Sequence, residues 1–489
     1  MMMRKDSRFV TLRGNIASLS GGSLRANGGG LFLVATGIAN LASFGFHLAT
    51  SRLLGPAGYG TLGSLLGLVT AAALPSSAVQ AAIGRRVALH QGQDQASTSP
   101  ISAPPPAILR GALAGLACGL AVALLTPLVD DFLNLADPVP ALLLAITVGL
   151  TVASIAPGGV LFGALRFRAL ALALTLGALS RLAFGSLLVG LGYRLTGATA
   201  GSMLGAAVSL ACLLWPFRPR RVAGTVPATE ATPSSASAVP GAERDQWAVV
   251  GPTLLAIAAL AGVSTFLGVD TALARHFLGP RAAGDYAAAA TIARVGLFLP
   301  GSIALAVFPR LAATQRVEDQ RRLLREALGL TALVAGAAAT VLALEPRLLT
   351  GAFFGQAYRG AAGPLVVLAS AGVAVGLGSV LVYFFLSRHS PLALSWWAAL
   401  GTLVVLVFFA HRGPLLIAWE TVCVSGATTV LLLLSSMRAV RPRRGAATRQ
   451  DLQSVQHAPL TPREDRSARL SFESDSPLPE ETGQVLGEV

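Results

Sequence analysis

Long apolar segments alternate with short polar ones along the whole chain. Twelve apolar segments of about 20 residues can be marked. A helix rises about 1.5 Å per residue, so a segment of this length crosses roughly 30 Å of hydrocarbon. The pattern predicts twelve transmembrane helices, at residues 30–50, 61–84, 107–129, 139–163, 169–192, 198–217, 247–269, 283–307, 324–344, 361–386, 390–410 and 414–437.

The segments outside these spans divide the chain. Residues 1–29 are polar, glycine-rich and basic, which predicts a cytoplasmic segment before an uncleaved first span. Residues 218–246 are rich in Pro, Ser, Ala and Thr, as flexible linkers are. Residues 438–489 are rich in Pro, Ser and Glu, which predicts a disordered cytoplasmic tail. Two six-helix bundles, at 30–217 and 247–437, are the predicted domains.

Composition supports an all-α, polytopic membrane protein. Hydrophobic residues make up 53% of the chain, charged residues 12%, and the mean hydropathy is +0.66, whereas a soluble domain has roughly 25% charged residues. Most Lys and Arg residues fall on one side of the predicted topology, which places both termini in the cytoplasm and the protein in the plasma (inner) membrane. The net charge of +14 therefore records topology and an affinity for anionic lipids, not nucleic-acid binding.

One short sequence occurs twice. SRLLGPAGYG (51–60) follows the first span, and ARHFLGPRAAGDYA (274–287) follows the seventh. Each copy has an arginine before Leu-Gly-Pro and a Gly and a Tyr after it. The shared loop residues are Arg52, Gly55 and Pro56 in the first copy and Arg275, Gly279 and Pro280 in the second. We expect two turns in which Gly supplies a permissive backbone and Pro ends a helix, a structural role alone being the simplest interpretation.

The repeat extends into the following spans. Pro75 matches Pro300, and Arg85 matches Arg310 at the same offset. Because each unit has six spans, both enter the membrane in the same sense, which predicts a pseudo-two-fold axis along the membrane normal. Pro75 and Pro300 lie inside spans and predict kinks, either in a cleft that opens and closes or in static packing.

Ionisable residues within the spans are candidates for function, because a charge at the bilayer centre costs about 2.5–3.5 kcal/mol on insertion scales. Arg181 and Arg294 lie at mid-depth, one in each half. They predict a cationic cavity, and guanidinium groups bind phosphate oxygens well. The competing hypothesis is that Arg181 or Arg294 pairs with Glu420 or Asp270 and holds helices together.

Three further residues are weaker candidates for coupling or gating. His47 lies toward the external end of the first span and is more often an interfacial histidine than a ligand. Asp270, near the end of the seventh span, could cap a helix, pair with Arg275 or couple an ion. Glu420 lies in the last span. No enzyme motif, metal-ligand cluster or cofactor motif stands out, and Cys118, Cys212 and Cys423 are interpreted as free buried thiols.

The motifs RLLGPAGYG and RHFLGPRAAGDYA, the latter followed by LFLPGSIALAVFPRLA, resemble the oligosaccharide flippases of polysaccharide biosynthesis. These belong to the multidrug, oligosaccharidyl-lipid and polysaccharide (MOP) exporter superfamily. The resemblance covers residues 28–437. It implies a V-shaped pair of bundles that moves a polyprenyl-diphosphate-linked glycan across the membrane, alongside other polysaccharide-assembly proteins. By analogy, Arg181 and Arg294 would be cavity cations.

Two alternatives remain open from the sequence. A multidrug exporter of the same superfamily would carry organic cations, which favour acidic or aromatic cavities. The acid-free interior of the first six spans and an aromatic content of 6% favour the flippase. A transport-inactive membrane scaffold that recruits partners through its tails is the other alternative.

Overall fold

The computed structural model describes residues 29–93, 105–217, 242–296 and 316–439, together with positions 311 and 314. Every regular element in these ranges is helical. We refer to residues 29–217 as the first half and to residues 242–439 as the second half.

The first half begins with a long hairpin. Its helices are α1 (Gly29–Gln93), α2 (Pro105–Leu124), α3 (Thr126–Leu133), α4 (Val139–Ala153), α5 (Ile155–Gly163), α6 (Phe167–Leu188) and α7 (Arg194–Leu214). A π-helical segment, Val189–Tyr193, joins α6 to α7, and a 3-10 turn, Trp215–Phe217, follows α7. Short α3 follows the third predicted span, and α4 with α5 forms the fourth.

The second half has the same order. Its helices are α8 (Ala242–Phe277), α9 (Pro280–Val295), α10 (Val317–Leu344), α11 (Pro346–Phe353), α12 (Ala362–Ser387), α13 (Ser395–Phe409) and α14 (Pro414–Ala439). The 3-10 turns Gln356–Ala361 and Pro391–Leu394 precede α12 and α13. Short α11 follows the ninth predicted span, in the position that α3 has in the first half.

The predicted all-α membrane architecture is confirmed. Nine helical stretches among the described residues are long and apolar enough to cross a membrane. Gly30–Thr70 includes the first predicted span and the start of the second, and Phe167–Phe217 includes the fifth and sixth; each stretch contains a backbone break. The eighth predicted span is described only to residue 296, because Pro300 and its neighbours lie outside the described residues.

Apolar side chains cover the outside of the helices as well as the core. Leu124 is 81% exposed, Phe409 79% and Leu41 74%. A soluble protein rarely presents so much contiguous apolar surface to water. These residues therefore face lipid, which agrees with a multi-pass membrane protein.

The two copies of the Leu-Gly-Pro turn differ in backbone conformation. Gly55 has φ 68° and ψ 176°, a conformation that side chains rarely adopt, and it divides α1 into two antiparallel arms. Gly279 has φ −59° and ψ 155°, which any residue can adopt, and it precedes Pro280 at the first position of α9. The prediction of a permissive glycine is therefore correct for Gly55 and wrong for Gly279.

The proline predicted to kink the second span lies in unbroken helix. The helical backbone of α1 continues through Pro75 to Gln93. The backbone break within α1 is at Gly55. The corresponding prediction for Pro300 falls outside the described residues.

The two halves meet along surfaces of small residues near the repeated turns. A Cβ on Gly60 would overlap the backbone of Gly284, and a Cβ on Gly67 would overlap that of Gly268. Ser64 adds a hydrogen bond across this contact, donating to Thr271 O at 2.9 Å. We call the end of the helices that carries the Gly55 and Gly279 turns the repeat face.

Glycines also set the spacing of helices within the first half. A Cβ on Gly115 of α2 would overlap Gly149 and Ala153 of α4, and a Cβ on Gly201 of α7 would overlap Gly185 of α6. Glycine at these positions allows the helix backbones to pack closely.

Replacing Gly201 with alanine should therefore separate α6 from α7. We expect Gly201→Ala to lower the free energy of unfolding by about 1–3 kcal/mol, the usual cost of overpacking a buried contact. Gly190→Ala is the matched control, because no atom lies within 4 Å of a Cβ at Gly190. Denaturant unfolding of the detergent-solubilised protein measures both; equal losses would contradict this account of the contact.

Candidate functional site

A group of polar side chains joins the two halves in the region below the repeat face. We call this group the central polar cluster. It consists of His47, Tyr59, Arg181, Asp270, Tyr286, Thr291, Arg294 and Thr421. It includes four of the residues predicted from the sequence, namely His47, Arg181, Asp270 and Arg294.

Arg294 and Asp270 form an ion pair within the second half. Arg294 Nη2 lies 2.6 Å from Asp270 Oδ1. Asp270 also accepts hydrogen bonds from Tyr286 OH at 3.2 Å and from the backbone N–H of Thr271 at 2.7 Å. The competing hypothesis of a pair is thus correct for Arg294. The suggested pairing of Asp270 with Arg275 is wrong, because the Arg275 side chain points toward the first half.

Arg181 has a different environment, without a carboxylate. Its guanidinium carbon lies 4.3 Å from the centroid of the Phe46 ring, and its Nε is buried without a hydrogen-bond partner. Among the described residues the two ion pairs are Arg294 with Asp270 and Arg322 with Glu326. The aromatic face offsets part of the cost of burying this cation, but the charge of Arg181 is not neutralised.

Two glycines give Arg181 its position. Gly185 lies one turn after Arg181, and a Cβ there would come within 2.5 Å of the Phe46 ring. Gly205 of α7 lies against Arg181, since a Cβ there would be 2.7 Å from the arginine Cβ. Because glycine has no side chain, the Phe46 ring can lie against the guanidinium group and α7 can approach α6.

A hydrogen-bonded chain connects the halves near both arginines. Thr291 donates to Ala287 O at 2.8 Å, so its hydroxyl proton is engaged. Tyr59 OH is hydrogen-bonded to Thr291 Oγ1, at 2.9 Å, and to His47 Nδ1, at 3.0 Å. Arg181 and Arg294 both lie within electrostatic reach of His47 and Tyr59.

The cluster follows the internal repeat of the chain. In the first half, the tyrosine of the repeated motif, Tyr59, binds His47 of the preceding arm. In the second half, Tyr286, which follows Pro280 by six residues where Tyr59 follows Pro56 by three, binds Asp270 of the preceding helix. Each half thus places a tyrosine hydroxyl on a titratable side chain. Tyr59 and Tyr286 were not among the predicted site residues, although their recurrence in the motif was a signal that could have identified them.

A small pocket lies beside the ion pair. Its volume for the centre of a water molecule is about 30 Å³, whereas one bound water needs roughly 10–15 Å³. Asp270, Arg294 and Thr421 supply its polar lining. A water molecule or a small cation fits this space.

Glu420 precedes Thr421 and is separate from this pocket. Its side chain is buried, and Oε2 has no hydrogen-bond partner. The hypothesis that Glu420 neutralises an arginine is not supported within the described ranges, where the acid paired with Arg294 is Asp270. The described residues also contain no group of three His, Cys, Asp or Glu side chains that could hold a metal ion.

The repeated arginines lie at the repeat face and reach across the halves. Arg52 Nη2 donates to Ala352 O at 2.6 Å. Arg275 Nε donates to Thr61 Oγ1 at 3.0 Å, and its Nη2 donates to Asn134 O at 3.5 Å. Arg52 and Arg275 therefore form hydrogen bonds between the halves in addition to flanking the turns.

Comparison with known proteins agrees with this architecture. A model of the family described as polysaccharide biosynthesis protein matches residues 26–315, which is more than half of the chain. The chain belongs to this polysaccharide biosynthesis protein family. No curated protein matches it.

Solved structures show which fold the family member adopts. It is similar to the inward-facing conformation of a multidrug resistance MATE family transporter of the MOP superfamily, with a TM-score of 0.65, 14% identity, and coverage of 84% of this chain and 97% of that one. It is also similar to the outward-facing conformation of a multidrug resistance MATE family transporter of the MOP superfamily, with a TM-score of 0.56 and 15% identity. The match covers 85% of this chain and 97% of that one.

A third similar structure is a MOP superfamily transporter from Pyrococcus furiosus, described as having a binding pocket of reverse polarity. It gives a TM-score of 0.56 and 16% identity, with coverage of 85% and 97%. The chain thus belongs to the polysaccharide biosynthesis protein family and has the fold of these transporters, and family and fold point to a transporter rather than an enzyme.

The ion pair of this family member should be energetically coupled. Asp270→Asn leaves Arg294 without its carboxylate, and we expect a loss of about 3–5 kcal/mol in the free energy of unfolding, as for other buried pairs that lose one partner. The double variant Asp270→Asn plus Arg294→Gln should lose less than the sum of the single variants. Denaturant unfolding of all four proteins gives the coupling energy.

The exposed pair Arg322 and Glu326 is the control for this cycle. It lies on the surface of α10 at four-residue spacing, so its removal should change stability little. Additive effects of Asp270→Asn and Arg294→Gln would show that the pair does not stabilise the fold.

Proposed function

We propose that this transporter moves a polyprenyl-diphosphate-linked oligosaccharide from the cytoplasmic to the external leaflet by alternating access. The observation that carries the proposal is Arg181, a half-buried arginine whose Nε is buried and unpartnered and which has no carboxylate partner among the described residues. A buried charge without a counter-charge is costly. A ligand phosphate in the central polar cluster would remove that cost.

The surroundings of Arg181 favour an anion over an organic cation. Phe46 contacts one face of the guanidinium group and leaves its N–H groups to donate. Phosphate oxygens accept two parallel hydrogen bonds from a guanidinium group. These bonds are charge-assisted and are stronger than those that an amide or hydroxyl oxygen would accept. A cationic drug would meet a like charge at Arg181.

Arg294 would be the second cation of the site once Asp270 releases it. Its side chain is 26% exposed and that of Asp270 is 6% exposed, so the arginine is the accessible partner. A proton or a small cation at Asp270 would satisfy the carboxylate and free the guanidinium group for the second phosphate. The pocket beside the pair has space for a cation of this size. Asp270 thereby becomes the coupling residue of the proposal.

One observation favours the multidrug exporter as a second candidate. Glu420 is a buried carboxylate with an unpartnered oxygen, which is the kind of group that binds an organic cation. The flippase is the stronger candidate because Arg181 lies within electrostatic reach of the residues that join the halves, whereas Glu420 has no such contact in the described cluster.

We place the transporter in the plasma membrane with both termini in the cytoplasm and the repeat face outside. The distribution of Lys and Arg supports this orientation. The ends of the helices opposite the repeat face carry a dense basic group, Arg316, Arg321, Arg322 and Arg325 at the start of α10. Polyprenyl-linked glycan, membrane lipids and polysaccharide-assembly proteins are the proposed partners.

Cysteine labelling tests the orientation. Ala357 is exposed at the repeat face, and Glu318 is exposed at the opposite end of the helices. In intact cells, a membrane-impermeant maleimide should label Ala357→Cys and should label Glu318→Cys only after the membrane is permeabilised. The reverse pattern would invert the proposed topology.

Transport in proteoliposomes tests the cargo. We expect Arg181→Gln to slow the movement of a fluorescent polyprenyl-diphosphate sugar between leaflets at least tenfold, because about 1.4 kcal/mol of lost phosphate binding has this effect. Gly185→Ala keeps the arginine but displaces Phe46, and a smaller decrease is expected. Arg322→Gln, an exposed arginine on α10, is the control.

Two results would contradict the proposal. Unchanged lipid transport by a well-folded Arg181→Gln variant would remove its central residue. A wild-type protein that leaves such lipids in place but exports a cationic dye, with loss of export in Glu420→Gln, would favour the multidrug exporter.

A further inference from the structure

Arg52 and Arg275, which precede the two copies of Leu-Gly-Pro by two and three residues, each contact a carbonyl of the opposite half. Arg52 of the first half donates to a carbonyl of the second half, and Arg275 of the second half donates to a carbonyl of the first. In both cases the acceptor lies at the end of a short helix. These contacts are distinct from the central polar cluster and involve none of its side chains.

The first contact joins the end of the first arm of α1 to α11. Arg52 Nη2 donates to the carbonyl of Ala352, in the last turn of the helix Pro346–Phe353, at 2.6 Å. Beside it, Tyr358 OH donates to Ser51 O at 2.8 Å. Residues 51 and 52 therefore both contact the segment 352–358, one as an acceptor and the other as a donor. Phe44 and Phe353 add an edge-to-face ring contact at 5.4 Å.

The second contact joins the end of α8 to α3. Arg275 Nη2 donates to the carbonyl of Asn134, the residue that ends the helix Thr126–Leu133, at 3.5 Å. The next residue, His276, donates from Nδ1 to Phe132 O at 2.6 Å, and its ring is stacked on the Phe132 ring at 4.2 Å. Here two consecutive residues, Arg275 and His276, contact the end of one short helix.

The acceptors have the right chemistry for a cation. The last four carbonyls of a helix have no intrahelical donor, and the helix dipole adds a partial negative charge at this end. An arginine there satisfies the carbonyl and interacts favourably with the dipole. The helices α3 and α11 also occupy equivalent positions, since they follow the third and the ninth predicted spans.

We infer that Arg52 and Arg275 form a two-fold-related latch, the arginine latch, which holds the halves together at the repeat face when this face is closed. Opening at this face must break both contacts, because each joins the two halves. The arginine latch therefore consists of one contact from each copy of the repeated sequence. This role does not depend on which cargo is transported, so it stands or fails separately from the proposed function.

Pulsed electron-electron double resonance on the full-length protein in nanodiscs tests the latch. Spin labels at Ala136→Cys and Ala357→Cys report the separation of the halves at the repeat face, since both positions are exposed there and lie in different halves. The three native cysteines are replaced by alanine. In the protein with both latch arginines, the distance between the two spin labels should be predominantly the short one that corresponds to a closed repeat face.

Removal of either arginine should shift this population. We expect Arg52→Gln and Arg275→Gln each to raise the ratio of open to closed molecules about three- to tenfold, as for a partly exposed hydrogen bond from a charged donor. The double variant should raise the ratio further. Tyr358→Phe, which keeps the ring and loses the donor to Ser51 O, should cause a smaller shift and provides a test if an arginine variant fails to fold.

Arg281→Gln is the matched control, because Arg281 is an exposed arginine in the same repeated segment as Arg275. Its distance distribution should equal that of the unsubstituted protein. Unchanged distributions in Arg52→Gln, Arg275→Gln and Tyr358→Phe would overturn the latch. A shift of the same size in Arg281→Gln would overturn it too, since the effect would then be one of net charge.

Discussion

The cost of a charge in hydrocarbon is the constraint on which the interior of this protein depends. Each of the two mid-membrane arginines meets that cost in a different way. Arg294 has a carboxylate, Asp270, which Tyr286 and a backbone N–H hold in place. Arg181 has an aromatic face, Phe46, and keeps its net charge. One half therefore contains a neutral pair and the other a free cation, and this asymmetry defines the candidate site.

Close helix contacts make this arrangement possible. Gly185 and Gly205 bring Phe46 and α7 next to Arg181, which is half-buried. At the boundary of the halves, Gly60, Gly67 and Gly268 allow backbones to approach. A side chain at any of these positions would widen the boundary that the hydrogen bond from Tyr59 to Thr291 crosses. Small residues thus control both the binding group and the contact between the halves.

The internal repeat gives the two halves related parts with different chemistry. Tyr59 and Tyr286 each follow a copy of the repeated turn, at different distances, and one binds a histidine and the other an aspartate. Arg52 and Arg275 reach across to the ends of α11 and α3, respectively. A transporter that alternates between two states needs both halves to move together, and matched contacts at the repeat face meet this need. Under the proposed function, the cargo would bind Arg181 in the first half and the coupling ion would bind Asp270 in the second.

The sequence by itself determined the membrane class, the helical fold, nearly all spans and the repeat, because a bilayer imposes about 20 apolar residues on every crossing helix. It also identified Arg181, Arg294 and Asp270, because buried charges are rare and conspicuous. Only the tertiary structure decided that Arg294 is paired and Arg181 is not, and that Arg52 and Arg275 contact opposite halves. Pairing depends on which helix faces meet and at what depth, and residues hundreds of positions apart acquire those relations only when the helices pack.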